Sequence, residues 1–242
     1  MIRTEPRGDV LVVSIDRPER HNALDQDAIA GLQAVLRQTE ATPPRVLVLT
    51  GAAGHFCSGA DLTTVEDHDV VAALGEVLRG LRAAPFPTMA VVEGYALGAG
   101  TQLAIACDLR IATAGASFGV PAARLGLMVD QWTVRRLVGL AGQSTARHLL
   151  LSTDRMTGER AHQLGLVHRL GDVADGLAWA HDVALLAPLT LQGLKLGLDE
   201  LDPDEPASPT YEAAAAAAWG SRDLAEGLAA FAEKRPANFE GR

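Results

Sequence analysis

The sequence predicts an α/β fold with crossover helices, on three observations. Val10–Ile15, rich in β-branched residues, and residues 45–50, with apolar residues at 46–49, flank a helix-periodic stretch over 26–40. Further on, the apolar run Thr88–Val92 passes through a glycine-rich turn into a helical stretch of small and apolar residues beginning at Ala99. Hydrophobic residues make up 48% of the 242, enough for a sizeable core in one large domain or in one and a half.

Each element has its own reason. Val10–Ile15 is β-branched and reads as a strand, and Pro18 ends it in a loop over residues 17–24. Asp25 is placed to cap a helix over 26–40, where Ile29, Leu32, Val35 and Leu36 recur at helical spacing. Pro43 and Pro44 stop that helix, and Val46, Leu47, Val48 and Leu49 read as a strand buried on both faces. Beyond residue 130, helices are predicted over 131–140, 142–151, 172–186, 189–201, 211–219 and 222–234, with a short strand over 167–170. Thr157 and Ser221 are placed as helix caps. Alanine dominates the stretch 211–219, which favours a helix that neighbours can approach closely.

Composition excludes several functions. A net charge of −9 and the lack of any Lys/Arg-rich block argue against nucleic acid and against an anionic membrane surface. No apolar run is long enough to span a bilayer, and the first residues lack the apolar core of a signal peptide, so a cytoplasmic protein is expected. Cys57 and Cys107 have no metal-ligand spacing and make no disulfide framework. Asp67, His68 and Asp69 could form a metal cluster, but a solvated helix start accounts for them better. No metal and no cofactor are expected.

The stretch 94–108, with Gly94, Gly98 and Gly100, is where chemistry is expected. A buried helix that opens on small residues presents free N–H groups at the positive end of its dipole. Such a helix start suits an anion, or an oxygen that becomes anionic during a reaction; a tight turn with glycines for packing alone is the other reading. The stretch 51–62 is equally rich in small residues, and its Ala60 N–H can converge on the N–H groups near Ala99. It has neither the P-loop nor the dinucleotide-binding spacing. His55 beside Cys57 would suggest a thiol nucleophile, although residues two apart rarely face each other correctly.

These two stretches, in this order, resemble the crotonase (enoyl-CoA hydratase/isomerase) family. The likeness extends from Arg17–Pro18 and Asn22–Ala23–Leu24 through Phe56 to Leu62, residues 94–108, Ser117 to Pro121 and Arg136–Leu137 to Phe231 through Arg235. It implies a spiral of ββα units over residues 1–190 that holds a coenzyme A thioester. A C-terminal helical region over 191–242 would support a homotrimer, or a hexamer of paired trimers. It also implies an oxyanion hole from the backbone N–H groups of Ala60 and Ala99. Ligand contacts are implied at His21, Ala23, Ser58, Asp61, Leu62, Gly98, Ala122 and Trp132. Phe231 and Lys234 are implied too, often against the ligand of a neighbouring subunit. Coenzyme A enters as part of the acyl-CoA ligand.

The departures from the family pattern bear on function. Where the resemblance implies a glutamate in the first turn of the central helix, this chain has Gln102; where it implies a second after a proline, Pro121 is followed by Ala122. Hydration needs a carboxylate to activate water and an acid to protonate the α-carbon. An amide can orient water but exchanges no proton near neutral pH, and a methyl group does neither. Asp130 is the carboxylate that the motif order places near the thioester; it is also placed to cap the helix that follows, and both can hold. The expectation is an acyl-CoA-binding protein of fatty acid metabolism with weak or absent hydratase activity. The alternative is an active hydratase/isomerase or a thioesterase using Asp130 or a bound water.

Overall fold

The computed structural model describes residues 1–61, 68–199 and 208–242. In chain order the elements are β1 (Ile2–Arg7), β2 (Val10–Ile15), α1 (Gln26–Ala41), β3 (Val46–Gly51), α2 (His68–Ala83), β4 (Thr88–Val92), β5 (Tyr95–Leu97), α3 (Ala99–Ala106), β6 (Leu109–Ala112) and β7 (Ser117–Gly119). They continue as α4 (Gln131–Arg147), β8 (Met156–Thr157), α5 (Gly158–Gln163), β9 (Arg169–Leu170), α6 (Val173–Ala184), α7 (Pro188–Asp199), α8 (Pro209–Trp219) and α9 (Arg222–Glu233). The large sheet runs β1-β2-β3-β4-β6-β9 and the small one β5-β7-β8. Apart from the antiparallel β1–β2 hairpin the large sheet is parallel, and crossover helices connect its strands.

Val46, Leu47, Val48 and Leu49 are buried, as expected for a strand covered on both faces. One face packs on α1, α2 and α3; the other packs on α6 through Ala180, Val183 and Ala184. Helix α3 lies wholly inside, each of its eight residues buried. The caps sit where the sequence places them: Asp25 accepts from the Ala28 N–H at 2.8 Å, Thr157 from Arg160 at 3.2 Å and Ser221 from Leu224 at 3.3 Å. The break expected between 140 and 142 is real, because Gly142 has non-helical backbone inside α4. The strand expected over 167–170 is shorter, and only Arg169–Leu170 pair with β6. Asp67 of the possible metal cluster, Leu62 and the end of the helix predicted over 189–201 lie outside the described residues.

The C-terminal segment is tied to the body. Lys195 of α7 donates to Asp108 at 2.7 Å and to the Phe86 carbonyl at 3.1 Å. The buried Asp223 carboxylate accepts from the Glu240 and Gly241 N–H groups, at 2.7 and 2.8 Å, and so folds the tail over the start of α9. Among the described residues no helix is long and apolar enough to cross a membrane.

Candidate active site

Hydrogen bonds hold three loops together around the start of α3. The first is the turn over residues 17–24. Asn22 is buried at φ 60°, a region that asparagine tolerates. Its Oδ1 accepts from the Arg17 N–H at 2.8 Å, and its Nδ2 donates to the Ala52 and His55 carbonyls at 2.8 and 2.5 Å. Arg17 reaches the Ala23 carbonyl at 2.6 Å, Asp25 at 2.9 Å and Asp61 at 3.5 Å. The second loop, 51–61, is joined to the first by Ser58 N–H to His21 O, Leu24 N–H to Gly59 O and Asp61 N–H to Leu24 O. His21, Ala23, Ser58, Ala60 and Asp61 are therefore brought together. The rings of His21 and His55 meet edge to face at 4.8 Å, and His55 stacks on Tyr95 at 4.7 Å.

The third loop turns from β5 into α3. Cys57 N–H donates to Tyr95 O, and Leu97 N–H donates back to Cys57 O, which draws loops two and three side by side. Gly98 adopts φ 52°, a conformation that favours glycine, and so swings the chain from strand to helix. Gly100 has no room for a side chain, since a Cβ there would lie 2.1 Å from the Cys57 carbonyl oxygen. Thr101 locks the turn: its hydroxyl donates to Ala96 O at 2.6 Å and accepts from the Gly119 N–H at 3.2 Å.

Backbone bonds around this turn leave several donors over. Gly98 N–H is used by Gly119 O, and Gln102 N–H by Gly98 O. Among the described residues, the N–H groups of Ala60 and Ala99 have no partner. Ala99 opens a buried helix, where the dipole adds positive potential. A donor at such a helix start holds a carbonyl oxygen better as that oxygen gains negative charge.

The segment from Val120 to Asp130 leaves β7 beside Gly98 and returns beside α3. Ala122, half-buried, packs with Val129 and Trp132 against the core, whereas Leu125, Leu127 and Met128 stand exposed. Asp130 is the N-cap of α4, accepting from the Thr133 N–H at 3.1 Å. The same oxygen accepts from the Thr133 hydroxyl at 2.5 Å, and the Gln102 amide Nε2 donates to that hydroxyl at 2.8 Å. Thr133 gave no signal in the sequence, because its role depends on a contact 31 residues distant. Phe231 and Lys234 sit at the end of α9, with Phe231 87% exposed. Among the described residues neither is hydrogen-bonded to, or stacked on, these loops.

Both cysteines are fully buried, and burial pushes each thiol up to about 12. Burial thus disfavours a thiolate nucleophile at Cys57 at neutral pH, and the His55 ring stacks on Tyr95. Among the described residues no group of three or more His, Cys, Asp and Glu side chains could hold a metal ion.

Residues 5–242 match the family model described as enoyl-CoA hydratase/isomerase. A probable enoyl-CoA hydratase of Mycobacterium tuberculosis is 40% identical over 237 residues, covering 96% of both chains. The 2,3-dehydroadipyl-CoA hydratase of Escherichia coli is 34% identical over 256 residues, again covering 96% of each. Among solved structures, an enoyl-CoA hydratase/carnithine racemase from Magnetospirillum magneticum superposes with a TM-score of 0.92 at 28% identity, covering 100% of this chain and 96% of that one.

Proposed function

Because the chain belongs to the enoyl-CoA hydratase/isomerase family and has its crotonase fold, we propose that it binds fatty acyl-CoA thioesters and hydrates enoyl thioesters weakly or not at all. The observation that carries this reading is the pair of unpartnered N–H groups at Ala60 and Ala99, together with Gln102 on the same helix as Ala99 and Ala122 after Pro121, where the resemblance implies glutamates. The thioester oxygen lies between the two donors. The coenzyme A portion runs past Ala23, Ser58 and the His21 ring, and the acyl chain leaves toward Ala122, Trp132 and the exposed Leu125–Met128 rim. Asp130 does not replace the missing carboxylates in this reading, since one of its oxygens is committed to the cap of α4 and to Thr133.

Titration calorimetry with a long-chain acyl-CoA and with free coenzyme A tests the reading. The acyl ligand is expected to bind more tightly, by up to about 0.8 kcal/mol for each methylene it buries. Equal affinities, or no binding of either, contradict it.

Association of copies is part of the same proposal. Leu194 and Leu198 on α7, Trp219 on α8, and Leu228 and Phe231 on α9 are exposed in the single chain. Together they support a trimer or a multiple of three, with Phe231 and Lys234 delivered to a neighbouring subunit's ligand. Light scattering is expected to report that state; a stable monomer at micromolar concentration contradicts it.

A further inference from the structure

We propose that the apolar loop over residues 125–128 seats on a lipid surface bearing anionic headgroups, from which the protein takes up long-chain ligands. The inference rests on the acyl-CoA reading above and adds to it a partner and a docking face.

Gly126, in the left-handed region at φ 68°, ends the turn Pro121–Leu125, and the Leu127 N–H returns to the Ala122 carbonyl at 2.9 Å. Leu125 and Leu127 are exposed on this loop, and Met128 is 92% exposed. The turn packs on His148–Ser152, and Arg124 Nε donates to the Thr153 hydroxyl at 2.6 Å. Leu151, 74% exposed, stands on that supporting segment. Four large apolar side chains are thereby left in water on two joined turns. None of them lies on α7, α8 or α9, which carry the association surface proposed above.

The charge of the same region matches an anionic bilayer. From residue 109 to residue 153 the sequence holds five arginines and a single carboxylate, Asp130, although the chain has 30 acids in 242 residues. Asp130 is itself engaged by the cap of α4 and by Thr133. Arg124, Arg135 and Arg147 are exposed, and among the described residues none of the three takes part in an ion pair. The net charge of −9, which over the whole chain opposes an anionic surface, is screened by salt beyond about 8–10 Å. A face therefore meets a membrane with its local charge. Cations beside exposed leucine and methionine are the combination by which a peripheral segment holds such a bilayer. An acidic protein would also attract the arginines, but a side chain as prominent as Met128 needs a matching cavity in a rigid partner and none in a bilayer. Long acyl chains partition into lipid by about fourfold for each methylene, so a lipid surface is where the proposed ligands concentrate.

Flotation with phospholipid vesicles tests the proposal with no thioester present. The wild type is expected to bind vesicles of phosphatidylcholine and phosphatidylserine at least about tenfold more tightly than phosphatidylcholine alone, since each cation near the surface adds roughly fivefold. Leu125→Ser with Met128→Ser is expected to weaken binding to the mixed vesicles at least about tenfold. Arg135→Glu with Arg147→Glu is expected to remove the preference for the mixed vesicles. Leu185→Ser, at an exposed leucine after α6, is expected to change nothing. In Met128→Trp the added indole is expected to shift its emission to the blue on mixing with these vesicles, which reads insertion at that residue itself. A wild type that ignores both vesicles overturns the proposal and makes an acidic protein the occupant to seek. Undiminished flotation of the double serine variant, or no shift in Met128→Trp, overturns it as well. Because the vesicles hold no thioester, each of these failures leaves the acyl-CoA reading standing; that reading fails in the calorimetric titration alone.

Discussion

Mixed with a short enoyl-CoA, the protein is expected to leave the conjugated-thioester absorbance essentially unchanged, at a rate at least about 10²-fold below that of an enzyme with both carboxylates in place. Each positioned acid or base typically supplies about 10²–10⁴-fold in rate, and two such groups are wanting at Gln102 and Ala122. The Ala60 and Ala99 donors can still polarise the carbonyl, so a small rate above that in water is compatible with the account. Asp130 is the carboxylate that the motif order offers as a substitute, and its commitment to Thr133 opposes that role. Turnover in the ordinary enzymatic range of about 1–10³ s⁻¹ contradicts the account. In that event, a large fall in Asp130→Asn with ligand binding intact would assign the chemistry to Asp130.

Replacing Arg110 by Met is expected to cost about 3–5 kcal/mol of folding stability. The side chain is fully buried at the C-terminal end of α3. Its Nε donates to Leu166 O at 2.7 Å, and its terminal nitrogens donate to Cys107 O at 2.6 Å, Asp108 O at 3.2 Å and Ala104 O at 3.3 Å. Helix carbonyls at that end carry negative potential, which is what makes a buried cation tolerable there. Burial lowers the guanidinium to about 10, so it remains charged at neutral pH. Methionine fills much of the volume but leaves several buried carbonyls without a donor, at roughly 1–3 kcal/mol for each that stays unsatisfied. Lysine, with one compact ammonium in place of a planar fork, should recover only part of the loss. Urea denaturation reads the effect as a lower midpoint with an unchanged slope. A loss below about 1 kcal/mol would mean that water or the backbone readily replaces the guanidinium.

Local patterns made much of the fold readable. The strand runs at Val10–Ile15 and Val46–Gly51, the Asp25 and Ser221 caps and the break at Gly142 depend on neighbours along the chain. Strand β1 escaped because Ile2–Arg7 is almost wholly polar; it forms through backbone pairing with β2 rather than through an apolar face. The site was legible as two glycine-rich stretches, since close backbone approach demands small residues wherever it occurs. What holds the stretches together was not: the Asn22 clamp, the Arg17 ion pairs and the Thr133 link join residues remote in sequence. The same distance hid Arg110, whose burial depends on carbonyls from α3 and from Leu166.

The measurement that tests the central claim most directly is the acyl-CoA titration repeated with a thioether analogue, which keeps the chain and the coenzyme A portion but lacks the carbonyl oxygen. If the Ala60 and Ala99 N–H groups grip that oxygen, the thioester should bind about 5- to 150-fold more tightly, from two hydrogen bonds of about 0.5–1.5 kcal/mol each. Equal affinity of thioester and thioether would show that the two donors do not hold the carbonyl, and would contradict the account.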